Sequence, residues 1–125
     1  MRLVIVGGVA GGATAAARAR RLDEKAEIIL FERGEHISFA NCGLPYYVGG
    51  VIAERDNLLV TTAAAFQQRY DIDVRPFSQV TAIDRKAKTV TVRDLAKGAT
   101  YTEAYGKLIL APGAEPVRPK QIGRA

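Results

Sequence analysis

A glycine-dense turn between an apolar run and an alanine-rich run constrains this chain more than any other feature. Leu3-Val-Ile-Val leads into Gly7-Gly8-Val9-Ala10-Gly11-Gly12, and residues 13–22 are mostly alanine and arginine. An apolar run of β-favouring residues stopped by glycine predicts a strand with both faces covered. The following segment, with Ala15, Ala16, Ala19 and Leu22 at helical spacing, predicts a helix over 11–22 whose small side chains let it lie close on a sheet. At such a turn the free N–H groups and the positive helix end together form a site for an anion, above all a pyrophosphate.

Glu27-Ile-Ile-Leu-Phe-Glu32 supplies a second buried strand. Strand, glycine turn, helix and strand, joined by a right-handed crossover, make half of a Rossmann unit. Against the pattern G-x-G-x-x-G, Gly7 and Gly12 match and Val9 replaces the middle glycine. Glu32 lies 25 residues after Gly7 (32 − 7), where an acidic side chain accepts hydrogen bonds from an adenosine ribose. Together they favour a dinucleotide site. The plainer alternative is a tight turn followed by a solvated acidic strand end.

Residues 34–60 hold glycines, two tyrosines and Pro45 without periodicity, the pattern of a loop and short helix that build a site. Thr61 or Thr62 caps a helix ending near Tyr70, and Ile72-Asp-Val is a brief strand. Val80–Ile83, Thr89–Arg93 and Thr100–Thr102 read as an antiparallel meander, and Lys107-Leu-Ile-Leu-Ala as a last buried parallel strand. Residues 116–125 are polar and expected to be loosely held. The fold class expected is α/β: a Rossmann-like three-layer domain with a central parallel sheet and a small meander. At 125 residues the chain is one domain.

With 48% hydrophobic and 25% charged residues the composition is that of an ordinary soluble globular protein. No apolar stretch approaches the ~20 residues of a membrane span. Arg2 and the short run after it fall short of a signal peptide, so a cytoplasmic protein is expected. The net charge of +5 favours anionic partners, but no basic stripe with interleaved aromatics supports nucleic-acid binding. Cys42 is the sole cysteine, which excludes an intrachain disulfide and a cysteine-built zinc site; no metal is expected.

Cys42 is therefore either inert packing or a reactive thiol. Ser38-Phe-Ala-Asn-Cys-Gly-Leu-Pro-Tyr-Tyr47 puts it just before a helix with Pro45 in its first turn. Helix N-termini favour thiolates, and the thiolate is what attacks a disulfide sulfur.

The glycine turn, Glu32 and the segment Ser38-Phe-Ala-Asn-Cys-Gly-Leu-Pro-Tyr46 together resemble the pyridine nucleotide-disulfide oxidoreductases, specifically the coenzyme A disulfide reductases. Dithiol members carry a second cysteine where this chain has Tyr47, so it resembles the single-cysteine branch, which accepts Val at the middle glycine position. Leu108-Ile-Leu-Ala-Pro-Gly-Ala-Glu-Pro116 is similar to the family's second flavin motif, with Pro112 in place of the usual Thr and Gly106 in place of a common Asp. The resemblance covers residues 1–117.

The resemblance implies an N-terminal FAD-binding fragment, with a redox-cysteine segment at 38–50 and a meander at about 78–103. NAD(P)H would act through a domain this chain lacks, as it lacks the dimerisation domain of a homodimeric enzyme. Cys42 would be catalytic, exchanging electrons with coenzyme A disulfide or persulfide. Gly7, Gly8, Val9, Ala10, Gly11, Gly12, Glu32, Arg33, Asn41, Val80, Ala111, Pro112 and Gly113 would line FAD. Thr14, Arg18, Arg21, Ser38 and Asn41 would face coenzyme A, Arg18 and Arg21 sharing a helical face for its phosphates. A lysine that the family often uses falls at Tyr70, beside Arg69. The alternatives are an NADH oxidase or peroxidase of the same family, favoured less by Arg18, Arg21 and the Asn41–Pro45 run, and a flavin-binding module without catalysis.

Overall fold

The computed structural model describes residues 1–117 and Pro119. Of the tail expected to be loosely held, 116–125, residues 116, 117 and 119 are described and take no regular secondary structure, and the others lie outside the described residues. The first half-unit forms as its pattern requires: β1 (Arg2–Val6), α1 (Gly11–Leu22) and β2 (Glu27–Phe31). With β3 (Asp73–Arg75) and β7 (Lys107–Leu110) these strands make a four-stranded parallel sheet in the order β3-β2-β1-β7.

Successive side chains of a strand point to opposite faces, and the core divides accordingly. Leu3, Ile5, Ile28 and Leu30 face α1 and α3 (Ala63–Tyr70), where they meet Ala13, Ala16, Ala17 and Phe66. Val4, Ile29 and Phe31 face the other way, onto Val90 and Val92 of an antiparallel meander. That meander is β4 (Ser78–Asp84), β5 (Thr89–Asp94) and β6 (Thr100–Ala104). The result is three layers: helices, parallel sheet, meander. Asp84 and Asp94 each turn the chain between meander strands by accepting two backbone N–H groups.

One expectation needs correction. The buried stripe of α1 is Ala13, Ala16 and Ala17, and Leu22 is 69% exposed. At about 100° per residue, Leu22 sits half a turn from Ala13, on the side away from the sheet. Ala15 and Ala19 flank the stripe, half-buried. Arg20 turns toward the end of α3, its Nε donating to the Tyr70 carbonyl at 2.8 Å.

An ion cluster joins the meander to the sheet. Glu103 of β6 accepts hydrogen bonds from Arg2 of β1 and, at 2.8 Å, from Arg75 of β3. Burial opposes the charge of Arg75, but hydrogen bonds to Asp73, Tyr101 and Glu103 outweigh it and hold the guanidinium above the usual arginine range. No helix among the described residues is long and apolar enough to cross a membrane.

Candidate functional site

The glycine turn is built by close approach. Gly7 has φ +93°, and a Cβ there would stand 2.0 Å from the carbonyl oxygen of Ala111. A Cβ on Gly12 would stand 1.7 Å from the carbonyl oxygen of Gly7, so α1 seats directly on the turn. Only glycine fits either place. Ala10 occupies the position before α1 and makes no side-chain cap, and the first turn carries no acidic residue. The first N–H groups of a helix lack intrahelical partners, and here no side chain competes for them.

Glu32 is not a solvated strand end. It is 9% exposed, with Oε2 accepting the Gly8 N–H at 2.7 Å and Oε1 the Gly34 N–H at 2.8 Å. Each carboxylate oxygen has room for a second donor, so the pair can still receive ribose hydroxyls. Glu32, Gly7, Arg33, Val80 and Pro112 line one crevice of about 140 Å³. Arg33 itself is exposed and pairs with Glu115 at 3.0 Å. Gly113 has φ +74° and open space where a Cβ would go, in the loop after β7. A glycine cradle, an uncapped helix end and a buried carboxylate with spare acceptor capacity are the features a dinucleotide such as FAD requires, so these residues fit that group.

On the far side of the turn lies a larger cleft of about 690 Å³. Val9 and Ala10 line it, one and two residues past the last strand-side glycine pair, so the two cavities share the glycine turn as a wall. Thr14, Arg21, Ser38, Asn41 and Cys42 all line this cleft. Asn41, expected at both cavities, lines the larger one. Arg18 is exposed on α1 and lines neither.

Cys42 is exposed, not packed as a small hydrophobe. It sits in a 3-10 turn, Asn41–Gly43, that runs into the short helix α2 (Leu44–Val48) with Pro45 in its first turn. That helix is five residues long, so little aligned dipole stands behind the thiol. What fixes the thiol is the chain on either side. The Ser38 N–H donates to the Gly8 carbonyl at 2.9 Å, the Ala40 N–H to the Leu58 carbonyl at 2.7 Å, and the Val60 N–H to the Ser38 carbonyl at 3.1 Å. Ser38 takes a left-handed conformation, φ 51°, uncommon for a residue with a side chain.

Sequence reasoning missed Phe66 as a cleft residue and named Tyr70, with Arg69 beside it, only as the position of a lysine that the family often uses. All three come from α3 and line the cleft opposite α1. Their spacing, i, i+3 and i+4, places them on one helical face, a signal present in the sequence but uninformative until α3 is known to lie against α1.

The sequence pattern described as pyridine nucleotide-disulphide oxidoreductase matches residues 1–125. The chain belongs to that family. The family is FAD- and NAD(P)H-dependent. Among curated relatives, coenzyme A disulfide reductase of Staphylococcus haemolyticus is 45% identical over 113 residues, 90% of this chain and 26% of the relative. Among solved structures, reduced Bacillus anthracis CoADR-RHD superposes with TM-score 0.92 at 55% identity, over 95% of this chain and 21% of that one. The water-forming NADH oxidase from Lactobacillus brevis, bound to NADH, superposes with TM-score 0.89 at 35% identity, over 96% of this chain and 26% of that one. This family member thus spans about a quarter of the length of the curated relatives it matches.

Proposed function

We infer that this chain is the flavin-binding and thiol-bearing part of an NAD(P)H-dependent reductase of coenzyme A disulfide or persulfide. One observation carries it: the exposed thiol of Cys42 opens onto the same cleft as Arg21 and Arg69, two cations on facing walls. An adenylated thiol offers phosphates to such cations and a sulfur to the cysteine.

FAD, held by residues 7–12, Glu32 and the Ala111–Gly113 corner, would supply the two-electron link from NAD(P)H to sulfur. The chain's own residues do the rest. Arg21 and Arg69 bind the phosphates, Ser38 and Asn41 orient the thiol arm, and the Cys42 thiolate attacks one sulfur of the disulfide. The new bond is a Cys42–coenzyme A disulfide, and the leaving group is one coenzyme A thiolate. Two electrons and a proton then release the second thiol and restore Cys42, so that one NAD(P)H and one proton are consumed per disulfide. The exposed free thiol suits a reducing, cytoplasmic compartment. The complete enzyme is read as a homodimer.

The test is turnover of coenzyme A disulfide by the complete protein with NADH or NADPH, beside its Cys42→Ser variant. Thiol release that disappears in the variant, with flavin reduction by NAD(P)H retained, supports the reading; no release from the unsubstituted protein ends it. The likeness to the Lactobacillus brevis oxidase motivates a second reading, reduction of oxygen species through a Cys42 sulfenic acid. Faster turnover with peroxide or oxygen than with coenzyme A disulfide would favour it. Stoichiometric flavin without NAD(P)H oxidation would describe a binding module.

A further inference from the structure

Arg20 lines neither cavity, yet among the described residues its side chain is as heavily hydrogen-bonded as that of Arg75. Its Nε donates to the Tyr70 carbonyl at 2.8 Å, and Nη2 to the Asp71 carbonyl at 2.6 Å. Its Nη1 donates to the Glu24 carbonyl at 2.6 Å and reaches the Asp23 carbonyl at 3.5 Å. The first pair closes the end of α3; the second lies just past the end of α1. Terminal helix carbonyls lack intrahelical partners and carry partial negative charge, so one guanidinium fork satisfies and neutralises both ends.

Asp71 adds a reason for the fork to be there. It has φ 49°, a left-handed conformation disfavoured for a residue with a Cβ, and the two carbonyls that Arg20 grips stand on either side of it. Arg20 therefore holds the turn that ends α3. Among the described residues no other side-chain hydrogen bond joins α1 to α3. These two helices are the facing walls of the larger cleft: Thr14, Ala17 and Arg21 on one, Phe66, Arg69 and Tyr70 on the other.

We propose that Arg20 is a positioning residue that sets the spacing of the cleft walls, and with it the affinity for the nucleotide-bearing thiol, without touching that ligand. The proposal rests on the reading above that the cleft takes coenzyme A. Its sequence neighbours Arg21 and, across the cleft, Arg69 next to Tyr70, are the two cations whose separation the clamp fixes. Loosening it moves phosphate ligands while leaving Cys42, pinned by residues 38–40 and 58–60, where it is.

The experiment uses the complete flavoprotein and its Arg20→Met and Arg20→Lys variants. KM and kcat are measured with coenzyme A disulfide, Cys42 labelling with iodoacetamide, and amide hydrogen exchange over residues 63–72. In Arg20→Met the KM is expected to rise about tenfold, with kcat, flavin content and labelling rate unchanged and exchange in α3 faster. Arg20→Lys, able to reach fewer carbonyls, is expected to recover part of the KM. An unchanged KM in Arg20→Met overturns the proposal, and so does a parallel loss of kcat, flavin and labelling in both variants. If the unsubstituted protein shows no kinetic response to coenzyme A disulfide, the functional reading fails. Exchange then judges the clamp by itself, and unaltered exchange in α3 overturns it.

Discussion

The Oε2 oxygen of Glu32 accepts the backbone N–H of Gly8 at 2.7 Å. This bond commits an amide of the glycine turn to the protein, ties the turn to the end of β2, and leaves the first N–H groups of α1 as the donors available to a pyrophosphate. The carboxylate is thus both a brace for the turn and an acceptor facing the smaller crevice.

Glu32→Gln should weaken both roles. An amide side chain keeps one acceptor oxygen and sets an NH2 against the other backbone donor, for a loss on the order of 1–3 kcal/mol. Denaturant unfolding of the flavin-free protein reads the brace, and flavin retention on dilution reads the site. Unaltered values in both would remove Glu32 from the account.

Two neighbouring glycines should respond differently to alanine. At Gly12 the new methyl meets the Gly7 carbonyl oxygen at 1.7 Å, whereas at Gly11 it meets only the Ala111 Cβ at 3.6 Å. Gly12→Ala is expected to lose about 2 kcal/mol of stability or more; Gly11→Ala should keep its stability. Denaturant unfolding of the flavin-free protein distinguishes them, and equal behaviour would contradict the seating of α1 on the turn.

Charge reversal at the cleft tests the phosphate ligands. Arg21→Glu and Arg69→Glu should each raise the KM for coenzyme A disulfide by about ten- to a hundredfold, the equivalent of one charge-assisted hydrogen bond, and flatten its dependence on salt. Arg18→Glu, outside the cleft lining, should have the smaller effect. A larger effect at position 18 would mean that the ligand follows the exposed face of α1 instead.

Removing Glu103 takes one shared carboxylate from two cations at the junction of sheet and meander, leaving Arg2 with Glu27 and Arg75 with Asp73. Glu103→Ala should cost about 2 kcal/mol, because Arg2 and Arg75 lose their shared carboxylate while remaining half-buried. A lowered urea midpoint with unaltered Cys42 labelling is the expected result. An unchanged midpoint would show that the apolar packing around Val90 and Val92, with Val80 and Tyr101, holds the meander in place without the ion cluster.

Much of this architecture is legible from local pattern. The strands announce themselves as short apolar runs, and the meander turns carry Asp84, Asp94 and Gly98 where the backbone needs them. The inner face of α1 is misread for a physical reason: a helix of alanines has no bulky side chain to mark its buried stripe, and Leu22, the large apolar residue, lies on the outside. The segment around Cys42 stands out by its glycine, proline and lone sulfur, but its anchoring at residues 40 and 58 is a long-range pairing with no local signature. The same holds for Arg20. In the sequence it is one of three arginines on α1, and only the arrival of α3 alongside distinguishes it from Arg18 and Arg21.

Because the chain leaves the sheet layer at Ser38–Ala40 and returns beside it at Leu58–Val60, the seventeen residues between (57 − 40) form a loop closed at its own neck. Such a loop is an exchangeable cartridge. Its length, its apolar surface and the neighbours of its sulfur are therefore separable from the nucleotide cradle behind it, whose bond from Gly8 to Glu32 lies outside the neck.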